Sequence, residues 1–515
     1  MDTAISGTFG LCPVAPDALQ GIKRQQTNPA RWNGANWNEF VDALRTQEVE
    51  VLESIAARGA FATDAGGTAY GLPHGVVIAR SAGQIAKLLR AAQCYRVPVT
   101  VRGGGLTTEG ESVAFGGVLL DMTGMSRVIA IDAAALTVRT EAGIFWHSLA
   151  EELRRENLDY LSAPLNLTSS VGGTLGVGGI DVNSARLGCS ADQAVALQVV
   201  TPTGDIIECS DTGNAELFQR VILGYGQFGV ITEATLKVRR YTPLSMHYFY
   251  YSSLKNAIED LQLLDRNDAA DYSGILTIMD SAVNLLVAFD TPEREAAFAA
   301  RWRSRLRGHG ELGFALRAAA HYALRPWKWP EACYLYRRKR ELFPEFRRPE
   351  YVRDGLMHDR TVVFSRAVWK FWGSRQMVIP DLATSVEKFV AAVERGNAVC
   401  RKYFPHYTLY CVGIRLRPDH RPHYEMSCIP ADAEGWAYGC EFEPVMDRVY
   451  SRDHLQSFKN EIYDIGVDLG ASYYRFGGMM KGYIRRIFGD AVVDRHLAMK
   501  RAADPAMILN RDVIF

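Results

Sequence analysis

The stretch Ser170-Val171-Gly172-Gly173-Thr174-Leu175-Gly176-Val177-Gly178-Gly179 decides how this chain is read, because half of its residues are glycine. Glycine tolerates positive φ and lets backbone N–H groups close on an anion, so such runs build concave nests. Two more clusters lie on either side, Arg102-Gly103-Gly104-Gly105-Leu106-Thr107 and Gly224-Tyr225-Gly226-Gln227-Phe228-Gly229. Any one of them alone reads as a tight turn. Three together, each ending a strand or opening a helix, read as separated turns lining one long phosphate-bearing ligand. A dinucleotide such as FAD, with a pyrophosphate and two ring systems, has that length. The 224–229 run spells G-x-G-x-x-G, but the dinucleotide fingerprint of that form needs a strand before it and a helix after it. Here a helix at 214–223 precedes and a strand at 230–238 follows, so that reading is rejected.

Around these clusters the pattern alternates between short strands and helices. Strands are predicted at 76–79, 97–101, 118–121 and 136–142, with a hairpin of 194–201 and 205–209 around Pro202-Thr203-Gly204. Ser81 is placed to cap a helix that runs to Tyr95, and a second helix covers 145–157. Further upstream, Phe40, Leu44, Val51 and Ile55 recur at helical spacing and predict one helix over 37–58, after an irregular arm at 1–35. Beyond residue 240 the strands lengthen (275–279, 282–288, 408–416) and long helices appear at 292–306 and 382–403, the first announced by Thr291 and Pro292. The tail 471–515 returns to a helical pattern. The expected fold is α+β in two domains, residues 1–240 around the glycine clusters and 241–470 as a cap-like second domain.

Bulk composition agrees with this plan. A chain of 515 residues exceeds what one core supports, and 48% hydrophobic with 23% charged residues is ordinary for a globular protein. Lys plus Arg equals Asp plus Glu at 58 each, which argues against a nucleic-acid partner that must replace phosphate counterions. Nine cysteines without a C-x-x-C pair suit reduced thiols, so a cytoplasmic location and no structural zinc are expected. No signal peptide and no apolar run of about 20 residues are seen. Trp327, Trp329 and the basic run Arg337-Arg338-Lys339-Arg340 raise membrane contact by 325–351, against which a solvated insertion is the favoured alternative.

The run Val171–Gly179, the later Gly226-Gln227-Phe228-Gly229-Val230-Ile231-Thr232 and the tail Asp504-Pro505 to Ile508-Leu509 resemble the vanillyl-alcohol oxidase/p-cresol methylhydroxylase flavoproteins, with cytokinin dehydrogenases and berberine-bridge-type enzymes among their relatives. The resemblance covers 76–240 well and 471–515 moderately, and leaves the cap unplaced. It implies that Arg102, Gly103, Gly104, Gly105, Leu106 and Thr107, with Val171, Gly172, Gly173 and Thr174, wrap the FAD pyrophosphate. It implies that Gly178, Gly179, Gly226, Gly229, Val230 and Ile231 lie along the ribityl and adenine parts. It also implies an oxidoreductase whose FAD-binding domain, 1–240, is completed by 471–515 and whose substrate-binding cap, 241–470, closes a substrate cavity over one face of the flavin.

The chain departs from that pattern at the flavin tethers. Leu106 stands where many members carry the covalent histidine, and Asn166 near the place of a second, cysteine anchor, so noncovalent FAD is expected. Leu165 stands near the acidic residue of cytokinin dehydrogenases, which weakens an oxidation of that type. Tyr473, Tyr474 and Arg475 resemble the tyrosine–arginine set that holds a phenolate in the phenol-oxidising branch, and a guanidinium with a tyrosine hydroxyl does stabilise an oxyanion. A phenolic or aromatic alcohol is therefore the first substrate expectation, with a flavin-bound cyclase or reductase as the alternative. His147 reads as a cap or core histidine. His406, Tyr407, Tyr410, His420 and His423 place rings in or near a cap strand without metal-ligand spacing, so no metal is expected.

Overall fold

The computed structural model describes residues 32, 34–164, 166–180, 183–242, 245–278, 282–309, 376–405, 407–416, 430, 432–444, 449–477 and 480–514. The arm 1–31, the segment 325–351 and His406, His420, His423 and Leu165 lie outside them.

Three sheets carry the molecule. Strands β1 (Gly75–Ile78), β2 (Val99–Arg102) and β3 (Val118–Asp121) form a parallel sheet in the order β1-β3-β2. Its crossover helix α2 (Ala82–Tyr95) starts where predicted, with the Ser81 side chain accepting from Gln84 N at 3.1 Å. Ile85, Leu88 and Leu89 of α2 meet Val77, Val99 and Leu120 of the sheet, Phe40 and Leu44 of helix α1 (Trp37–Arg45), and Ile508 and Leu509 of the tail in one dry cluster.

The second sheet joins β4 (Val128–Asp132), β5 (Thr137–Glu141), β9 (Val230–Arg240), β7 (Ala194–Val200) and β8 (Ile206–Ser210) in that spatial order, with β6 (Leu158–Tyr160) paired to β9. The third is antiparallel, ordered β10 (Ser245–Tyr251), β12 (Ala282–Phe289), β11 (Tyr272–Ile278), β14 (Tyr407–Arg415), β15 (Trp436–Pro444) and β13 (Asp381–Ser385). Helices α4 (Val386–Tyr403) and α5 (Arg452–Leu469) cover one of its faces; α3 (Val171–Val177) and α6 (Asp490–Ala503) belong to the glycine region and the tail. At Gly396 the contact is so close that a Cβ would stand 2.1 Å from the Phe442 ring. A continuous core runs from the second sheet into the third. Among the described residues no helix is long and apolar enough to cross a membrane.

Three elements differ from expectation. The predicted helix 37–58 is two helices, Trp37–Arg45 and Ile55–Gly59, because Glu48 turns the chain at φ 61° and Leu52 bridges Val76 beside the first sheet. The helix 382–403 loses its start to β13, whose backbone is claimed by β15 through the whole of 381–385. The helix 292–306 stops at Arg301. β13 and β15 escaped the sequence reading because they are buried along nearly their whole length and carry no clean polar period.

Candidate functional site

The first glycine cluster leaves β2 as a loop that presses on the second. A Cβ at Gly103 would lie 2.0 Å from Ser170 Oγ, and one at Gly104 would lie 2.8 Å from Thr168 O. Among the described residues, the amides of Gly103, Gly104, Gly105, Leu106 and Thr107 donate to no protein acceptor. Below the loop, Asp64 accepts from Thr107 Oγ1 at 2.8 Å and from Gly110 N at 2.7 Å. Arg102 donates to Thr63 O at 2.9 Å and Ser112 O at 3.3 Å, so its guanidinium braces the loop from beneath. A row of outward amides on a braced turn is what a pyrophosphate requires, and the residues fit a dinucleotide.

The second cluster is built differently. Ser170 caps α3 by accepting from Gly173 N at 3.3 Å, Val171 N and Gly172 N go to Ile144 O and Ala142 O, and Thr174 N goes to Ser170 O. The amides expected to wrap the pyrophosphate are thus engaged within the protein, and this segment supplies a wall against the loop of Gly103. At its far end Gly178 and Gly179 take φ of 124° and 74°, and Gly179 N donates to the Tyr474 hydroxyl at 3.1 Å. The third cluster is a joint: Asn510 of the tail donates to Tyr225 O and accepts from Val101 N, and a Cβ at Gly226 would strike it at 2.3 Å. Gly229 packs on Val199, and Val230 and Ile231 are buried in the strand that follows.

The tyrosine–arginine set divides. Tyr473 is fully buried, its hydroxyl donating to Tyr463 O at 3.0 Å, and is a packing residue of the cap. Tyr474 lines a small recess of about 20 Å³ between Ile180 and the face of the third sheet that carries Asp381, Ala383 and Val412. Arg475 lies over the Tyr474 ring at 5.5 Å and donates to Asp381 at 3.2 Å and Glu441 at 2.9 Å. Asp381 also accepts from Tyr474 N at 2.6 Å.

Residues that no motif announced complete the centre. Glu109 and Glu111, beyond Thr107 in the same loop, Lys459 and Tyr463 of α5, and Asp381 and Glu441 of the cap sheet surround the tyrosine–arginine pair. Burial lifts Asp381 to about 6 against the pull of Arg475. Burial and the neighbouring Asp64 charge lift Glu111 to about 8, and burial lifts Asp64 itself to about 6. Burial, with Arg475 beside it, drives Lys459 well below the usual lysine range. His147 stacks on Phe145 and keeps Nδ1 3.2 Å from Leu167 O, a supporting place. Leu106 is half-buried in the loop, Asn166 accepts from Thr168, and Cys189 is buried.

Residues 73–210 match the family described as FAD binding domain. The chain is 36% identical over 181 residues to an uncharacterized oxidoreductase of the fasciation locus of Rhodococcoides fascians, covering 34% of this chain and 40% of that one. It is 30% identical over 255 residues to cytokinin dehydrogenase 3 of Arabidopsis thaliana, covering 48% and 47%, and 32% identical over 178 residues to the mitochondrial D-lactate dehydrogenase [cytochrome] of the same plant, covering 33% and 31%. The chain therefore spans a third to a half of the length of these relatives. Its fold matches a solved alkyldihydroxyacetonephosphate synthase with a TM-score of 0.63 at 15% identity, over 92% of this chain and 84% of that one. Residues 73–210, which span the loop of free amides, thus form an FAD-binding domain, and the chain is similar over this part to FAD-linked oxidoreductases.

Proposed function

We propose that this protein oxidises a small organic molecule seated in the cavity beside Tyr474, with FAD held noncovalently along the loop 103–107. The observation that carries the reading is the hydrogen bond from Gly179 N to the Tyr474 hydroxyl, which ties the glycine segment to the cavity wall. FAD, when bound, supplies a two-electron acceptor for hydride from a donor carbon. The protein's own task is to bind, orient and keep water out. Tyr474 and the sheet residues supply the walls, and Arg475, held by Asp381 and Glu441, fixes the Tyr474 ring. A phenolate ligand would need an unengaged guanidinium. Arg475 already serves two carboxylates, so the site favours an aromatic substrate without an anionic oxygen. Leu106 supports the noncovalent cofactor, since its side chain forms no bond to flavin.

Two measurements test the reading. Acid precipitation of the purified protein should leave a yellow supernatant; a yellow pellet would mean a covalent link. Anaerobic substrate should bleach the visible flavin band, and turnover with the band unchanged throughout would replace oxidation by a non-redox reaction such as cyclisation.

A further inference from the structure

The face of the third sheet that looks into the cavity has a charge pattern of its own. Asp381 pairs with Glu441 across β13 and β15, and Glu441 pairs with Tyr410 across β15 and β14, so the three side chains stand in one row on the same face. Next to this row lie Ala383, Gly439 and Val412, also in register, and there the wall recedes. A Cβ added at Gly439 would meet nothing nearer than Ile414 Cδ1 at 3.8 Å, so glycine leaves a hollow beside the two carboxylates. The hollow, the row of acids and the rings of Tyr410 and Tyr474 bound the same space.

The charges around it do not cancel. Asp381 and Glu441 share a single guanidinium, Arg475, and among the described residues no lysine, arginine or histidine lines the cavity itself. Of the charged groups further back, burial lifts the Glu111 carboxyl to about 8, so it adds no charge near neutral pH, and the others face partners of opposite sign. Glu109 is spent on Lys459, and Asp64 faces Arg102. One carboxylate is therefore in excess beside an empty recess, with two aromatic faces alongside. A carboxylate or phosphate ligand would meet like charge there, whereas an ammonium gains a charge-assisted hydrogen bond and ring contacts.

Resting on the oxidoreductase reading above, we infer that the substrate carries a basic nitrogen, received by Glu441 in the recess over Gly439. Glu441 is the residue suited to the contact, being half-exposed where Asp381 is buried and tied to Tyr474 N. Gly439 sets the size of the group admitted.

The experiment is isothermal titration of the purified holoenzyme with benzylamine, benzyl alcohol and benzoate, three probes of one shape and different charge. Benzylamine should bind at least about ten-fold more tightly than the other two, and Glu441→Gln should weaken benzylamine at least about ten-fold more than it weakens benzyl alcohol. Gly439→Val should weaken all three by filling the recess. Flavin content of each variant reports that the fold is intact. Benzoate binding as tightly as benzylamine, equal losses for all three in Glu441→Gln, or no heat from benzylamine up to about 10 mM would overturn the inference. A protein that takes up no flavin yet still prefers benzylamine would sink the oxidoreductase reading and leave the amine site standing.

Discussion

Glu109, in the loop that carries the free amides, is ion-paired with Lys459 of α5, and both side chains are shut away from water. Tyr463 donates to the same carboxylate at 3.4 Å, and Gly477 approaches it so closely that a Cβ would lie 2.4 Å from Glu109 Cβ. The loop 103–107 is thereby locked to helix α5 and to the tail beyond Arg475. Opening either one strands a charge in the interior.

Removing one partner should cost more than removing both. Lys459→Met leaves the Glu109 carboxylate buried and alone, and a loss of about 3–5 kcal/mol is expected in urea unfolding. The double variant Glu109→Leu with Lys459→Met should recover most of it. Equal losses in the single and the double variant would show that the pair is not what holds the loop.

The loop itself is tested at Gly103. An added methyl would push against Ser170 Oγ and displace the amides that follow. Gly103→Ala should therefore release FAD at least about ten-fold more readily, followed by flavin fluorescence, a change worth about 1.4 kcal/mol. Unaltered retention would place the pyrophosphate elsewhere.

Stability should depend on pH through Asp265. Burial lifts its carboxyl from 3.8 to about 7, opposed by hydrogen bonds from Ser273 and Tyr438. The folded protein keeps this proton where the unfolded chain has lost it. The contribution is complete below 3.8 and disappears as the pH rises through about 7. Asp265→Asn should flatten the profile and stabilise the protein at pH 8 by on the order of 2–4 kcal/mol. A variant that is less stable at pH 8 than the parent would contradict this.

The tail should matter as much as the loop. Asn510 accepts from Val101 N at 2.8 Å and donates to Tyr225 O at 3.1 Å, joining β2 to the third glycine cluster. Asn510→Ala leaves a buried donor and acceptor unmet, and about 2–4 kcal/mol of stability should be lost in thermal or urea unfolding. A loss below about 0.5 kcal/mol would mean that the tail is held by Ile508, Leu509 and the buried Lys500–Asp504 pair alone.

Much of the cofactor region was legible because its signals are local. Glycine runs, the Ser81 cap and the short apolar strands act over a few residues, and they placed β1, β3, α2 and the loop 102–107 close to where they lie. The role of the second cluster was not legible. Whether the amides of Gly172 and Thr174 remain free depends on Ala142 and Ser170 reaching them, and that is a matter of packing. Tyr473 and Tyr474 are neighbours of the same type, yet one faces the core and the other the cavity, a difference set by which side of the segment meets α5.

The sequence by itself determined the α+β plan and the glycine loop 102–107, since each is written in contiguous residues whose conformational preferences act locally. Only the tertiary structure decided that Asp381, Glu441 and Tyr410 form one row, that Arg475 is already neutralised, and that Glu109 meets Lys459. Those groups are separated by tens to hundreds of residues, and what joins them is strand register and burial. A carboxylate's charge, partner and proton affinity follow from the neighbours that the fold brings to it, and no local pattern records them.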